Sequence, residues 1–178
     1  MDKDSLARLD AVVRGASKDL FGAYGVVLED VIDERDLQDT IFVATIGYTH
    51  ARLHGALIIA LDPALARASL PSQIAAGEPS VERLADWSGE LANQLLGRIK
   101  KKLAGSGLDI NLGTPVVLEG KKMHYFPQHP KLARRMGFAS ASGRLDVEFQ
   151  GEYEGFLELS EPSGAADAAL DEGEVSLF

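Results

Sequence analysis

The chain has 178 residues, 46% of them hydrophobic, with a formal net charge of −9 and no cysteine. That length and apolar share suffice for one domain with a real core, the charge excludes a domain-wide basic surface for nucleic-acid phosphates, and the lack of thiols excludes a disulfide framework and cysteine nucleophiles. The acidic, polar start at 1–5 is unlike a signal peptide and no apolar run approaches membrane-spanning length, so the expectation is a soluble cytoplasmic protein with no membrane and no nucleic-acid partner.

Leu6, Leu9, Val13, Ala16 and Leu20 recur three and four residues apart over 3–22, which predicts a first helix with one buried face. Runs rich in Val, Ile and aromatic residues at 25–32, 40–48 and 52–61, parted by short polar turns, predict three strands in antiparallel pairing. Pro63, Pro71, Gly77 and Pro79 bound a mixed stretch with room for one short helix over 64–70. Ser80 is a suitable N-cap for a second long helix over 81–103, and Gly105, Ser106 and Gly107 supply its stop. Leu108, Ile110 and Leu112 then alternate as in a half-buried strand. The polar, basic, proline-broken stretch 121–136 reads as a long loop, followed by strands at 137–149 and 152–159. Beyond residue 160 the composition turns to Glu, Ala, Asp, Gly and Ser, which builds no core, so the expected organisation is a domain over 1–160 and a disordered acidic tail over 161–178. A helix with three strands, then a helix with further strands, predicts an α+β fold: a mostly antiparallel sheet against long helices, made of a helix-three-strand unit repeated twice.

The second long helix carries the most informative pattern in the chain. At about 100° per residue, Asp86, Glu90, Asn93 and Gly97 project within about 60° of one another, while Leu84, Leu91, Leu95, Ile99 and Leu103 fall on the opposite side. One face is built for a core and the other for a partner. Laying the first helix on the second by its apolar stripe puts Asp10 under Asp86, Arg14 under Glu90 and Ser17 under Asn93. The first copy therefore lacks the acid and the carboxamide. Trp87, at the border of the two faces, is assigned to packing.

The run from Asp86 through Trp87, Ser88, Gly89, Glu90, Leu91, Ala92, Asn93, Gln94, Leu95 and Leu96 to Gly97 resembles the motif helix of the CheC/CheX/FliY family of chemotaxis phosphatases. That family has an Asp or Ser, Glu four residues on, Asn three further, a glycine one turn later and a proline about two dozen residues downstream. Here Pro115 stands at the proline position, one residue closer than usual, and 55–61 is similar to the strand before the family's middle helices. A single surviving motif resembles the CheX branch more than the two-site CheC type.

The resemblance implies a phosphatase that removes the aspartyl phosphate of a response-regulator (CheY-like) receiver domain. The receiver supplies its own Mg²⁺ and lysine, so no cofactor belongs to this chain; what is missing is a water in line with the leaving oxygen. Asn93 suits that task because a carboxamide accepts and donates without gaining charge, much as glutamine positions water in GTPases. Glu90 is implied to pair with the receiver lysine. Gly97 would admit the partner backbone, and Asp86, Lys100 and Lys101 are assigned to docking. The alternative is a non-catalytic receiver-binding or scaffold module, and self-association as a homodimer through open strand edges is implied as well.

Elsewhere the signals are weaker. His50, His54, His124 and His129 show no metal-ligand spacing, so no metal site is expected. Lys121, Lys122, Lys131, Arg134 and Arg135 form the most basic region, a solvated loop or a contact for an acidic partner. Glu174, Val175, Ser176, Leu177 and Phe178 end the acidic tail with two apolar residues that have no core to enter. They read either as a frayed terminus or as a short docking peptide similar to the Leu-Phe endings that bind the bacterial sliding clamp, without their usual glutamine.

Overall fold

Asp2 starts the first helix by accepting the Ser5 N–H at 2.8 Å, and the apolar spacing then buries Leu9, Val13, Ala16, Leu20 and Phe21 along α1, Lys3–Ala23. The structure, a computed structural model of the chain, describes residues 1–32, 40–72, 77–121, 123, 130–155 and 157–160. The expected tail, with its Leu-Phe ending, lies outside the described residues. After α1 come β1 (Glu29–Val31), β2 (Thr40–His50), β3 (Leu53–Leu61), α2 (Pro63–Ala68), α3 (Val81–Ala104), β4 (Asn111–Lys121), β5 (Leu132–Ser140) and β6 (Gly143–Tyr153). The strands form one six-stranded sheet in the order β1-β5-β6-β3-β2-β4, antiparallel at every ladder.

The expected fold class holds, and the duplication is visible in the sheet. Exchanging β1 with β4, β2 with β5 and β3 with β6 returns the same order read backwards, with the axis between β3 and β6. The core joins the buried stripes of α1 and α3 to Phe42, Ile46, Leu57, Ile59, Phe138, Val147 and Phe149 of the sheet. Asp19 meets Lys102 at 3.2 Å and Tyr24 meets Gln94, so α1 and α3 run antiparallel, side by side. Among the described residues no helix is long and apolar enough to cross a membrane.

Four expected elements differ. The strand expected from Leu108, Ile110 and Leu112 runs instead over Asn111–Lys121, with the buried Leu108 and Ile110 leading into it. The first strand keeps its alternation, with Val26 and Leu28 buried and Val27 exposed, but only Glu29–Val31 reaches a partner strand. The expected strand at 137–149 is two strands with a hairpin turn between them: Ser140 Oγ accepts the Ser142 N–H at 3.1 Å, and Gly143 takes a φ of 131° that other residues rarely adopt. Leu132–Ser140 therefore belongs to the sheet, so the basic loop ends earlier than expected. The expected strand at 152–159 is instead the end of β6 followed by a segment that packs on α1, with Leu157 and Leu159 buried and the Leu159 N–H donating to Ser5 Oγ at 3.0 Å.

Candidate functional site

The striped helix is held at both ends. Ser80 Oγ accepts the Arg83 N–H at 3.3 Å, and beyond the last turn Gly107, at φ 82°, lets the Leu108 N–H reach the Leu103 carbonyl at 3.0 Å. Leu84, Leu91, Leu95, Ile99 and Leu103 are buried as the spacing requires. On the other side Asp86, Glu90 and Lys101 are exposed, and Asn93, Gly97 and Lys100 are half-buried. Glu90 and Asn93 thus sit three residues apart on one accessible face, a spacing that brings side chains within about 5–6 Å at Cβ.

The two polar groups differ in what they touch. Glu90 Oε1 accepts a hydrogen bond from Gln94 Nε2 at 2.8 Å, and Gln94 Oε1 accepts one from the Tyr24 hydroxyl at 2.7 Å. The Asn93 amide has no hydrogen-bond partner among the described residues. Tyr24 stands edge-on to Trp87, with ring centroids 5.1 Å apart, and the buried indole N–H donates to Ser69 Oγ at 3.1 Å. Trp87 is a packing residue, as its border position suggested. Lys100 reaches Asp109 at 3.3 Å across the surface, an exposed pair of small energetic weight, whereas Lys101 has no ion partner among the described residues.

Pro115 lies on β4, an edge strand, where the absence of an N–H costs no ladder hydrogen bond. A register shift against β2 between Ile46 and Tyr48 inserts one extra residue into β4 just before it and turns Pro115 and Val117 toward α3. They meet the helix at Gly89, where an added Cβ would stand 3.1 Å from Val117 Cγ2 and 3.8 Å from Pro115 Cγ. Gly89 is thus the close-packing glycine of α3. Gly97 has nothing within 4 Å of the position a Cβ would take. Gly97→Ala is therefore expected to leave the fold intact and raise its stability by about 0.5–1 kcal/mol, the helix-propensity difference, measurable by urea denaturation. A loss of stability would mean that the helix packs there after all.

The corresponding face of α1 is engaged inside the molecule. Arg134 Nε donates to Asp10 Oδ1 at 2.6 Å and its Nη2 to Oδ2. Arg14 pairs with Asp30, whose carboxyl is held below its ordinary range by the Lys18 hydrogen bond, with Arg14 adding to it. Ser17 is buried, its hydroxyl donating to the Val13 carbonyl at 2.8 Å. The positions under Asp86, Glu90 and Asn93 thus tie α1 down or pack inside. Of the basic cluster, Arg134 and Arg135 are strand residues, the latter 2.8 Å from Glu148, and Lys131 lies 4.0 Å from Glu152. Lys122, His124 and His129 lie outside the described residues. His50 Nδ1 accepts the Arg52 N–H at 3.2 Å in the β2–β3 hairpin, and among the described residues no group of three or more His, Cys, Asp or Glu is placed to hold a metal.

A family model described as chemotaxis phosphatase CheX matches residues 42–134, more than half of the chain, from β2 through α3 and Pro115 into β5. The chain belongs to the CheX family. The CheX fold is also found by comparison with solved structures. The chain is similar to the chemotaxis protein CheX from Vibrio vulnificus, at 22% identity over 80% of this chain and 95% of that one, with a TM-score of 0.67. It is similar to a CheC-like superfamily protein from Shewanella sp. PV-4, at 20% identity over 85% and 99% of the two chains, with a TM-score of 0.71. A third likeness is to a chain of the CheX-CheY-BeF3-Mg2+ complex from Borrelia burgdorferi, at 14% identity over 85% and 99%, with a TM-score of 0.61. At these identities the likenesses establish the fold. No curated protein matches the chain significantly in sequence.

Two residues beside the polar stripe, Gln94 and Tyr24, are given no task by the sequence, although Gln94 lies within the run that carries the resemblance. Gln94 adjoins the motif asparagine but faces sideways toward α1, and Tyr24 is 70 residues away. No local spacing joins them.

Proposed function

We propose that the protein hydrolyses the aspartyl phosphate of a response-regulator receiver domain. The helix α3 docks on the receiver, Glu90 pairs with the receiver lysine, and Asn93 holds a water in line with the phosphorus. Water adds to phosphorus as the bond to the aspartyl oxygen breaks; inorganic phosphate leaves with the water's proton, and the receiver's carboxylate is restored. The receiver's Mg²⁺ and lysine carry the charge stabilisation, and Asn93 contributes position rather than base strength.

The observation that carries this reading is the accessible pair Glu90 and Asn93 on the solvent side of a capped helix with a buried back, in a CheX-family chain. The Asn93 amide, without a protein partner among the described residues, is available to a water. Asp86 and Lys101, at opposite ends of the stripe, fit docking, and the open space over Gly97 fits approach of a partner backbone. The Borrelia burgdorferi complex, which joins a CheX to a CheY together with BeF3 and Mg2+, supports the same partner class and is consistent with a metal brought by the receiver. The test is decay of a receiver labelled with acetyl phosphate, with and without the purified protein. Decay at the receiver's own rate, together with binding, would identify a non-catalytic receiver-binding module instead.

We propose further that the protein self-associates through β4. This strand is a sheet edge that, beyond the bulge and Pro115 which interrupt it, exposes Val116 at 57% and Leu118 at 54%, apolar side chains that a second copy would cover. Sedimentation should show a dimer for the wild type and a monomer for Val116→Lys with Leu118→Lys. A monomeric wild type at working concentration would refute this.

A further inference from the structure

Glu90 is a long, exposed side chain, and an exposed glutamate ordinarily samples many rotamers, all but a few of which must be given up when a partner binds. In this protein it is not left to sample them. Gln94, one turn later, donates to its Oε1 at 2.8 Å, leaving Oε2 without a hydrogen bond among the described residues. The amide orientation of Gln94 is determined from both sides. A carboxylate only accepts, so the NH₂ end faces Glu90, and the carbonyl end therefore faces Tyr24, whose hydroxyl donates to it at 2.7 Å.

The tyrosine is itself fixed. It stands at the C-cap of α1, its backbone N–H bonded to the Gly22 and Phe21 carbonyls. Its ring lies edge-on to Trp87 at an interplanar angle of 83°, and Trp87 is tied to Ser69, whose hydroxyl donates to the Ala66 carbonyl at 3.1 Å. A continuous run of contacts therefore leads from α2 through α3 and the end of α1 to a single carboxylate oxygen. Tyr24 stands outside the family-matched segment 42–134.

We infer that Tyr24 and Gln94 are positioning residues that hold Glu90 in the rotamer that receives the receiver lysine, with Oε1 occupied and Oε2 presented. The inference rests on the reading of Glu90 as the receiver anchor. It gives α1 a task at the site: the copy of the repeat that carries no motif braces the motif of the other copy.

The test uses the full chain and a CheY-type receiver, phosphorylated with acetyl phosphate for turnover and loaded with beryllofluoride and Mg²⁺ for binding. Tyr24→Phe keeps the ring and removes the hydroxyl; Gln94→Met keeps the length and removes both amide bonds. Each is expected to raise KM and the receiver Kd about threefold to tenfold, the net worth of one hydrogen bond, with kcat within about twofold of wild type. In a Glu90→Ala background neither should have any further effect, because residues that act through one another are not additive. A merely structural bond between α1 and α3 would lower the thermal midpoint without this pattern. Unchanged KM and Kd in both variants, or effects that persist undiminished on Glu90→Ala, would overturn the inference alone. A Glu90→Ala variant that binds receiver as well as wild type would overturn it together with the anchor reading.

Discussion

Asn93→Ala is expected to lower kcat for receiver dephosphorylation by about 100-fold while leaving receiver affinity within about twofold of wild type. A group that only places a reactant contributes to the barrier and not to the encounter, and loss of one preorganised hydrogen-bonding group at a reacting centre costs about 10²–10³ in rate. Asn93 is half-buried on a rigid helix and carries no net charge, so its removal breaks no ion pair and opens no core cavity. Asn93→Asp should not rescue. An anionic carboxylate one turn from Glu90 would face a phosphoryl group that is itself negative, and repulsion would offset any gain in basicity. The measurement is single-turnover loss of labelled phosphate at saturating protein. Equal rates for wild type and Asn93→Ala with a receiver that binds both would remove the catalytic reading.

Glu90→Lys is expected to weaken receiver binding by about 100-fold, and Glu90→Gln by about tenfold, because like-charge contact adds a repulsive contribution to the lost attraction. The glutamine keeps an acceptor for the Gln94 NH₂ group and loses only the charge, so it isolates electrostatics from geometry. The wild-type affinity should also fall with added salt more steeply than that of Glu90→Gln, since a pair formed at an exposed position is screened. Titration calorimetry against the beryllofluoride-loaded receiver checks both points. Equal loss in the two variants would show that Glu90 does not meet a cation.

Much of the site was legible because it is local. The Ser80 cap, the stop at Gly107, the buried leucine stripe and the outward Asp86, Glu90, Asn93 and Gly97 all follow from helical period, and period survives folding when one face is apolar. The strand errors have an identifiable cause. Met136 and Phe138 point inward on even positions, whereas Leu145, Val147 and Phe149 do so on odd ones. A strand changes parity only at a bulge, as β4 does before Pro115, or by ending in a turn, and with Ser140, Ser142 and Gly143 between the two sets the sequence already held the sign of a turn. Gly89 carried a similar signal. A glycine inside a helix costs about 1 kcal/mol relative to alanine, and with Gly97 assigned to the outer face, Gly89 needed a packing explanation of its own. The Tyr24 to Gln94 bond had no such trace, because it depends on how two helices lie side by side.

The order β1-β5-β6-β3-β2-β4 also bears on how the chain reaches its final state. Each half of the repeat gives an outer strand to the other half, β1 beside β5 and β4 beside β2, while the central seam joins 53–61 to 143–153. In the N-terminal half β2 and β3 can pair with each other, whereas β1 has no partner until β5 is made. The pairings that complete the sheet, Glu29 with Ala139 and Leu53 with Tyr153, join distant parts of the chain, so folding is expected to be slow and to leave strand edges unpaired until β6 is in place.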